Sequence, residues 1–236
     1  MKETQVQEGA PANARCVLSF LIPTYRTPLL TGELLYAALA CGNFSGCQFV
    51  LLLDASDPHL LAYKALVESV REKGLSVGFF VFDGTPYCGM INRVAPIVTS
   101  DCLCVLDSRH MPLVENGVPV AEAVSRWIAT SPQTMRVGIF SDNVCYPVVT
   151  RKLVERLGYM FHPLCYGRPE AENWLLNIGS SLGILSSIPN AKIVESPADG
   201  VEIIGVSEHE DAVWVDETLG EILGDETERL EHYLLS

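Results

Sequence analysis

The stretch Gly89–Pro112, GMINRVAPIVTSDCLCVLDSRHMP, says most about the fold. Its apolar positions predict a helix over Met90–Val98 and then a buried strand, Cys102–Leu106. That strand ends abruptly in the polar run Asp107–His110. An acid at the end of an apolar strand is typical of open α/β sheets, in which ligands bind outside the carboxyl ends of the strands. The alternative is that Asp107 only begins a solvated loop.

Other short apolar runs alternate with helical patterns along the chain. The further predicted strands are Cys16–Ile22, Gln48–Leu53, Ser76–Phe82 and Val137–Phe140. The further predicted helices are Leu29–Cys41, Leu60–Lys73, Val120–Ala129, Arg151–Leu157 and Glu170–Leu182. This alternation predicts an α/β fold with a mostly parallel sheet and helices on both faces.

A chain of 236 residues with 48% apolar and 19% charged residues is long enough for one globular domain with a sizeable core. We assign that domain to residues 15–206, with loop and edge-strand composition over 186–206. Residues 1–14 are polar and predict a mobile tail without the features of a signal peptide. Residues 207–236 are acidic and predict a solvated helix.

The formal net charge of −13 and the pI near 4.7 disfavour a nucleic-acid partner, because binders of nucleic acid usually carry the opposite charge. The longest apolar runs fall far short of the ~20 residues that a membrane helix needs. Eight cysteines are present, with no C-x-x-C pair. We therefore expect reduced core thiols in a cytoplasmic protein and no zinc site.

Four short motifs in order carry a family resemblance. They are Ile22-Pro23-Thr24-Tyr25, Leu53-Asp54-Ala55-Ser56-Asp57, Ile91-Asn92-Arg93 and Leu106-Asp107-Ser108-Arg109. Together they resemble the nucleotide-sugar-binding half of a family 2 glycosyltransferase of the GT-A type, over about residues 16–185. The resemblance implies a GT-A-like domain that binds a nucleotide-diphosphate sugar, with a UDP-sugar favoured.

The resemblance also implies which residues bind the donor. The acid after the second strand, Asp54, would accept a hydrogen bond from the base, with Pro23 and Tyr25 as part of the pocket wall. Asp83 is a weaker candidate for the same pocket. The remaining implied binding residues are Asn92, Asp107 and Arg109.

The family's D-x-D motif, which holds a divalent cation such as Mn or Mg, is only partly present. Arg109 stands where the second acid is usual, so metal dependence is open. Arg109 could contact the diphosphate directly, or His110 could complete a shifted ligand pair with Asp107, or the site could be lost. His209 is a further candidate for a late metal ligand.

The segment from Tyr166 to Trp174 resembles the family's late G-x-E-D-x-x-L motif, in which an acid acts as catalytic base. This chain has Glu172-Asn173 where Glu-Asp is usual, and an amide cannot take a proton. Glu172 or Glu170 would then have to serve as the base. The alternative is that these acids only stabilise the start of a helix.

The resemblance thus implies a glycosyltransferase, inverting by family habit, that acts on an unknown hydroxyl acceptor. Arg109 and Asn173 each replace an acid that the chemistry normally uses, which leaves open a degenerate domain that serves as a binding or assembly module. A nucleotidyltransferase shares the sheet topology but usually has a glycine-rich basic loop near its N-terminus, and the sequence has no such loop.

Overall fold

The computed structural model of the chain describes residues 6–7, 16–131, 134–140, 143–165 and 167–195. The strands are Val6–Gln7 (β1), Leu18–Thr24 (β2), Cys47–Asp54 (β3), Val77–Phe82 (β4), Cys102–Val105 (β5), His110–Val114 (β6), Val137–Phe140 (β7), Asn143–Thr150 (β8), Leu185–Ile188 (β9) and Ala191–Glu195 (β10). The helices are Pro28–Cys41 (α1), Leu60–Glu72 (α2), Tyr87–Val94 (α3), Val120–Ala129 (α4), Arg151–Leu157 (α5) and Arg168–Ser181 (α6), with a 3-10 turn at Glu115–Gly117.

An eight-stranded sheet in the order β1-β4-β3-β2-β5-β8-β7-β9 forms the centre of the fold. β4, β3, β2 and β5 pair in parallel, and β8 pairs antiparallel with both β5 and β7. β9 continues parallel to β7, whereas β6 and β10 form a separate antiparallel pair. The predicted α/β architecture with a mostly parallel sheet is confirmed.

The central strands are mostly apolar because both faces of the sheet are covered. Along β2, Phe20 and Ile22 lie in a core with α1, α2 and α4, whereas Leu21 lies in a second core with α3, α5 and α6. Successive side chains of a strand point to opposite faces, so each strand contributes to both cores. Cys102 and Cys104 share one core, as their spacing predicts.

Some predicted elements differ from the structure. The helix predicted over Met90–Val98 begins earlier and ends earlier, as α3, because Pro86 sets its start and Pro96 has no N–H group to extend it. β8 is absent from the sequence prediction because it contains Pro147, which is unusual inside a sheet. The pairing of β7 with β8 is irregular opposite this region, between Gly138 and Phe140, and such a bulge tolerates a proline.

The two ends of the chain lie largely outside the described residues. Within the predicted N-terminal tail, Val6–Gln7 pair antiparallel with β4. The predicted acidic helix 207–236 and His209 fall outside the described ranges. In the part of the chain that is described, no helix is long and apolar enough to cross a membrane.

The glycines of two helices give a test of this packing. A Cβ atom added at Gly179 of α6 would lie 2.9 Å from Cβ of Val137, on β7. We therefore expect Gly179→Ala to destabilise the fold by about 1–3 kcal/mol, the usual cost of overpacking. The measurement is the free energy of unfolding in urea.

Gly32→Ala in α1 is the matched control, since its added Cβ would meet only Leu66, at an ordinary 3.7 Å. Alanine is the better helix former by about 0.5–1 kcal/mol, so this variant should be as stable as the wild type or more stable. Equal effects of the two substitutions would show that α6 does not pack as closely on β7 as described.

Candidate functional site

The acids predicted to bind the donor emerge at one edge of the parallel sheet. Leu21 of β2 pairs with Val105 of β5, and Thr24 of β2 pairs with Leu53 of β3. Asp54 ends β3 and Asp107 comes shortly after β5, one on each side of β2. Both acids therefore lie at the carboxyl edge, where open α/β sheets bind their ligands.

The carboxylate of Asp107 is surrounded by arginine donors. Its Oδ1 accepts hydrogen bonds from the backbone N–H of Arg109 at 2.8 Å and from Nε of Arg109 at 3.2 Å. Its Oδ2 lies 2.9 Å from Nη2 of Arg109 and 3.0 Å from Nη1 of Arg168. Partial burial works to raise the pKa of Asp107, but the hydrogen bonds from Arg109 outweigh it and lower the pKa. Asp107 is therefore a stable anion held between two cations.

Arg168 is the first residue of α6 and connects the site to that helix. Its Nε donates to Oε1 of Glu172 at 2.7 Å, one helical turn later, and its guanidinium lies over the ring of Tyr146 at 4.3 Å. Burial works to lower the pKa of Arg168, but the charge of Glu172 and the contact with Tyr146 keep it above its ordinary value. Arg168 is thus a permanent cation fixed from three sides.

Glu172 is the buried acid of the site, with only 7% of its side chain exposed. Burial raises its pKa to about 7, against the opposing effect of Arg168, and the charge of Asp107 adds to the rise. A carboxyl group with this pKa exchanges its proton near neutral pH, which is what a general base requires.

Two tyrosines complete the surroundings of Arg168. The buried Tyr146 places its hydroxyl 2.6 Å from Nδ1 of His110, at the start of β6. The hydroxyl of Tyr87 is buried and has no hydrogen-bond partner within the described ranges. Burial raises the pKa of Tyr87 well above its ordinary value. The charge of Arg168 works to lower this pKa and the charge of Glu172 works to raise it, so Tyr87 lies near both residues.

A chain of buried hydroxyl groups fixes the loop that carries Asp107. Thr24, at the end of β2, lies 3.0 Å from the hydroxyl of Tyr63 and 3.1 Å from that of Thr31. Thr31 in turn lies 3.1 Å from the hydroxyl of Ser108, which follows Asp107 directly. Buried hydroxyl groups that satisfy one another in this way hold a loop in one conformation.

Asp57 joins the loops that follow β2 and β3. Its buried carboxylate accepts hydrogen bonds from the backbone N–H groups of Arg26 at 2.6 Å and His59 at 2.8 Å. Arg26 has a φ of 56°, a conformation that is uncommon outside glycine and is held here by this contact. The bond fixes the neighbouring Tyr25, whose side chain is 43% exposed.

The structure gives the other predicted binding residues different surroundings. Pro23 is half-buried near the end of β2, and Asp83 is exposed after β4. Asp54 is half-buried and accepts a hydrogen bond from the backbone N–H of Ser56 at 2.7 Å. These residues and Tyr25 lie at or just after the ends of the parallel strands β2, β3 and β4, which places them at the same edge as Asp107.

The side chain of Asn92 forms its hydrogen bonds with the backbone of the segment before α6. Its Oδ1 accepts from the backbone N–H groups of Met160 and Phe161, both at 2.9 Å, and its Nδ2 donates to the carbonyl of Phe161 at 2.7 Å. These three bonds give Asn92 a structural role between α3 and the segment before α6.

The two candidate bases on α6 are separated by the structure. Glu172 belongs to the Asp107 cluster, which we define as Asp107, Arg109, Tyr146, Arg168 and Glu172. Glu170 instead packs against the start of its own helix, since a Cβ atom at Gly167 would lie 2.7 Å from its Oε2. That oxygen is buried and has no hydrogen-bond partner among the described residues.

The described residues around Asp107 do not fit a divalent cation. In the described ranges, no group of three or more histidine, cysteine, aspartate or glutamate side chains could hold a metal ion. Asp107 already contacts two guanidinium groups, which would repel a cation at the same carboxylate. His110 is hydrogen-bonded to Tyr146 through Nδ1. The shifted ligand pair of Asp107 and His110 stays a prediction, in which the metal would bind His110 through Nε2.

Solved structures with the same architecture are mannosyltransferase PcManGT from Pyrobaculum calidifontis, in complex with GDP-Man and Mn2+, and S. aureus TarS 1-349, in complex with UDP-GlcNAc. PcManGT superposes with a TM-score of 0.55 at 16% identity, over 90% of this chain and 63% of PcManGT. TarS superposes with a TM-score of 0.62 at 13% identity, over 86% of this chain and 65% of TarS.

The chain has a GT-A fold. It spans a little under two thirds of the length of these two structures. The sequence matches no protein-family model and no curated protein. The likeness is therefore one of fold, and the activity has to be argued from the site.

Two residues of this GT-A domain matter to the site although sequence reasoning assigned them no role. The contact of Arg168 with Glu172 could be predicted from the sequence, because residues four apart lie on the same face of a helix. Tyr146 has no such signal, since it lies on the unpredicted strand β8 and meets Arg168 only in the folded chain.

Proposed function

We propose that this chain is a glycosyltransferase that takes a sugar from a nucleotide-diphosphate donor, a UDP-sugar by preference. One observation carries the proposal. The Asp107 cluster places two arginines and a near-neutral acid at the carboxyl edge of β5 in a GT-A fold. Two structures that share the fold were solved with UDP or UDP-GlcNAc, and one with GDP-Man.

In this proposal the donor lies along the carboxyl edge of the parallel strands. Asp54 and Tyr25 bind the base and ribose, with Pro23 as part of the wall. Cationic side chains near Asp107 neutralise the leaving diphosphate, because charge develops there as the sugar departs. These residues are the ones that the fold brings to one edge.

The catalytic base in this proposal is Glu172, and the reaction is inverting. A base must accept the proton of the acceptor hydroxyl as the new glycosidic bond forms, so it must be ionised and near the reacting atoms. The pKa of about 7 leaves a large fraction of Glu172 ionised at neutral pH. Glu170 is the second candidate and packs against Gly167.

A second candidate function is a binding module without catalysis. It is favoured by the fact that both acids of the Asp107 cluster are already paired with arginine, Asp107 with Arg109 and Arg168, and Glu172 with Arg168. In that case the site would bind a nucleotide without turning over its sugar.

The test is a panel of UDP- and GDP-sugars. Each is assayed for binding and for turnover, which is measured as the nucleoside diphosphate released when the sugar is transferred to water. A ligand at about 100 times its Kd should stabilise the fold by about 2.7 kcal/mol, which a thermal-shift assay detects. Binding with turnover supports the transferase, and binding without turnover supports the module. Failure to bind any nucleotide or nucleotide sugar would contradict both.

A further inference from the structure

We infer that Arg109 and Arg168 together bind the diphosphate of the donor directly, so that binding needs no metal ion. This inference rests on the proposed function and adds to it the identity of the cations. Metal-dependent sites hold the diphosphate through a cation on carboxylates. Here the cations are part of the chain.

The first support is the convergence of the two guanidinium groups. Nη2 of Arg109 and Nη1 of Arg168 meet at the same oxygen of Asp107, at 2.9 and 3.0 Å. Two like charges repel one another, and here the carboxylate that lies between them offsets the repulsion. The arrangement around Asp107 is therefore an anion-binding site whose present occupant is a side chain of the protein.

The second support is the different exposure of the two arginines. Arg168 is held by Glu172, Asp107 and the ring of Tyr146 and is only 24% exposed. Arg109 is 49% exposed, and its pairing with Asp107 is of the kind that contributes little to stability in water. A diphosphate can therefore replace Asp107 as the partner of Arg109 at small cost.

The third support is the chemistry of the side chain. A guanidinium group offers a planar fork of N–H donors that matches two phosphate oxygens and always carries its charge. Arg168 also begins α6, and the start of a helix favours a negative ligand. Asp107 then holds the two arginines in the absence of the donor, as an anion that the diphosphate replaces, and not as a metal ligand.

The experiment is titration calorimetry of UDP into the wild-type chain, once in excess EDTA and once with Mn²⁺. We expect the same Kd in both conditions. Arg109→Met and Arg168→Lys should each weaken binding in EDTA by about tenfold to a hundredfold, the usual contribution of charge-assisted hydrogen bonds. The lysine variant keeps the positive charge but loses the planar pair of N–H donors.

Arg126→Met is the matched control, because Arg126 is an exposed arginine on α4 whose partner is Glu122. It should bind UDP as the wild type does.

Asp107→Asn is the decisive variant, since a metal site would lose its ligand whereas paired arginines would lose only a competing anion. We expect it to bind UDP in EDTA at least as tightly as the wild type. Circular dichroism confirms that each variant is folded.

Binding that requires Mn²⁺ and disappears in Asp107→Asn would overturn the inference and leave the proposed function standing. Equal Kd values for Arg109→Met and Arg126→Met would also overturn it. If the wild type binds no UDP in either condition but binds GDP, the same series is repeated with GDP. Absence of binding to both would contradict the inference and the proposed function together.

Discussion

Glu172→Gln should lower the rate of donor turnover by about 10²–10⁴-fold, the usual contribution of a general base, without weakening the binding of UDP. The amide keeps the size of the side chain but cannot accept a proton. The measurement is the release of UDP from its donor sugar at saturating donor, together with the Kd for UDP. The split between rate and affinity distinguishes a base from a residue that only shapes the site.

Glu170→Gln is the control on the same helix. Glu170 lies against Gly167 and not in the Asp107 cluster, so its variant should keep the rate within about threefold of wild type, less than ~1 kcal/mol in the barrier. If Glu170→Gln loses the rate and Glu172→Gln keeps it, the two residues exchange roles and Glu172 is only the partner of Arg168.

The carboxyl group of Glu172 also determines how the turnover rate should depend on pH. Because burial raises the pKa of Glu172 to about 7, the ionised form grows as the pH rises through that value. The turnover rate of the wild type should therefore increase between about pH 6 and 8 and level off above, as expected for a base. The residual rate of Glu172→Gln should lack this step.

Arg168→Met should destabilise the fold by up to about 3–5 kcal/mol at alkaline pH, the usual cost of removing one partner from a buried ion pair. Methionine fills a similar volume but leaves the buried Glu172 without the partner that lowers its pKa, so that pKa rises further in the variant. The measurement is the free energy of unfolding in urea. The loss should shrink as the pH falls towards about 7, because Glu172 of the variant then takes up a proton and the buried charge disappears. Below about pH 7 the loss should level off, since Glu172 of the wild type is protonated there as well.

The double variant Arg168→Met/Glu172→Leu is the control for this mechanism. Replacing both members of a buried pair by apolar side chains is often nearly neutral, so most of the lost stability should return. If the double variant is as unstable as Arg168→Met, the loss comes from the stacking of Arg168 on Tyr146 and not from the unpaired acid.

The sequence contains enough to place the site at one edge of the sheet. Asp54 and Asp107 each follow an apolar strand, and parallel strands bring their carboxyl ends together. The pair of Arg168 and Glu172 could also be predicted, since residues four apart share a helix face. The departure at Arg109 indicated that metal chemistry was in doubt.

The rest of the site depends on contacts between residues far apart in the chain. Tyr146 lies on β8 and contacts Arg168 from there. The sequence pattern does not predict β8, because proline is unusual inside a sheet and this strand contains Pro147. The hydroxyl contact between Thr31 and Ser108 joins positions 77 residues apart. Asn92 matches a binding motif in sequence but is occupied by Met160 and Phe161, which only the folded chain shows.

The central claim is that a nucleoside diphosphate binds at the Asp107 cluster through arginine and not through a metal. A crystal structure of the chain with UDP, grown in EDTA, tests it most directly. We expect diphosphate oxygens about 2.7–2.9 Å from guanidinium nitrogens of both Arg109 and Arg168. A diphosphate bound elsewhere, or one that contacts neither arginine, would contradict the account.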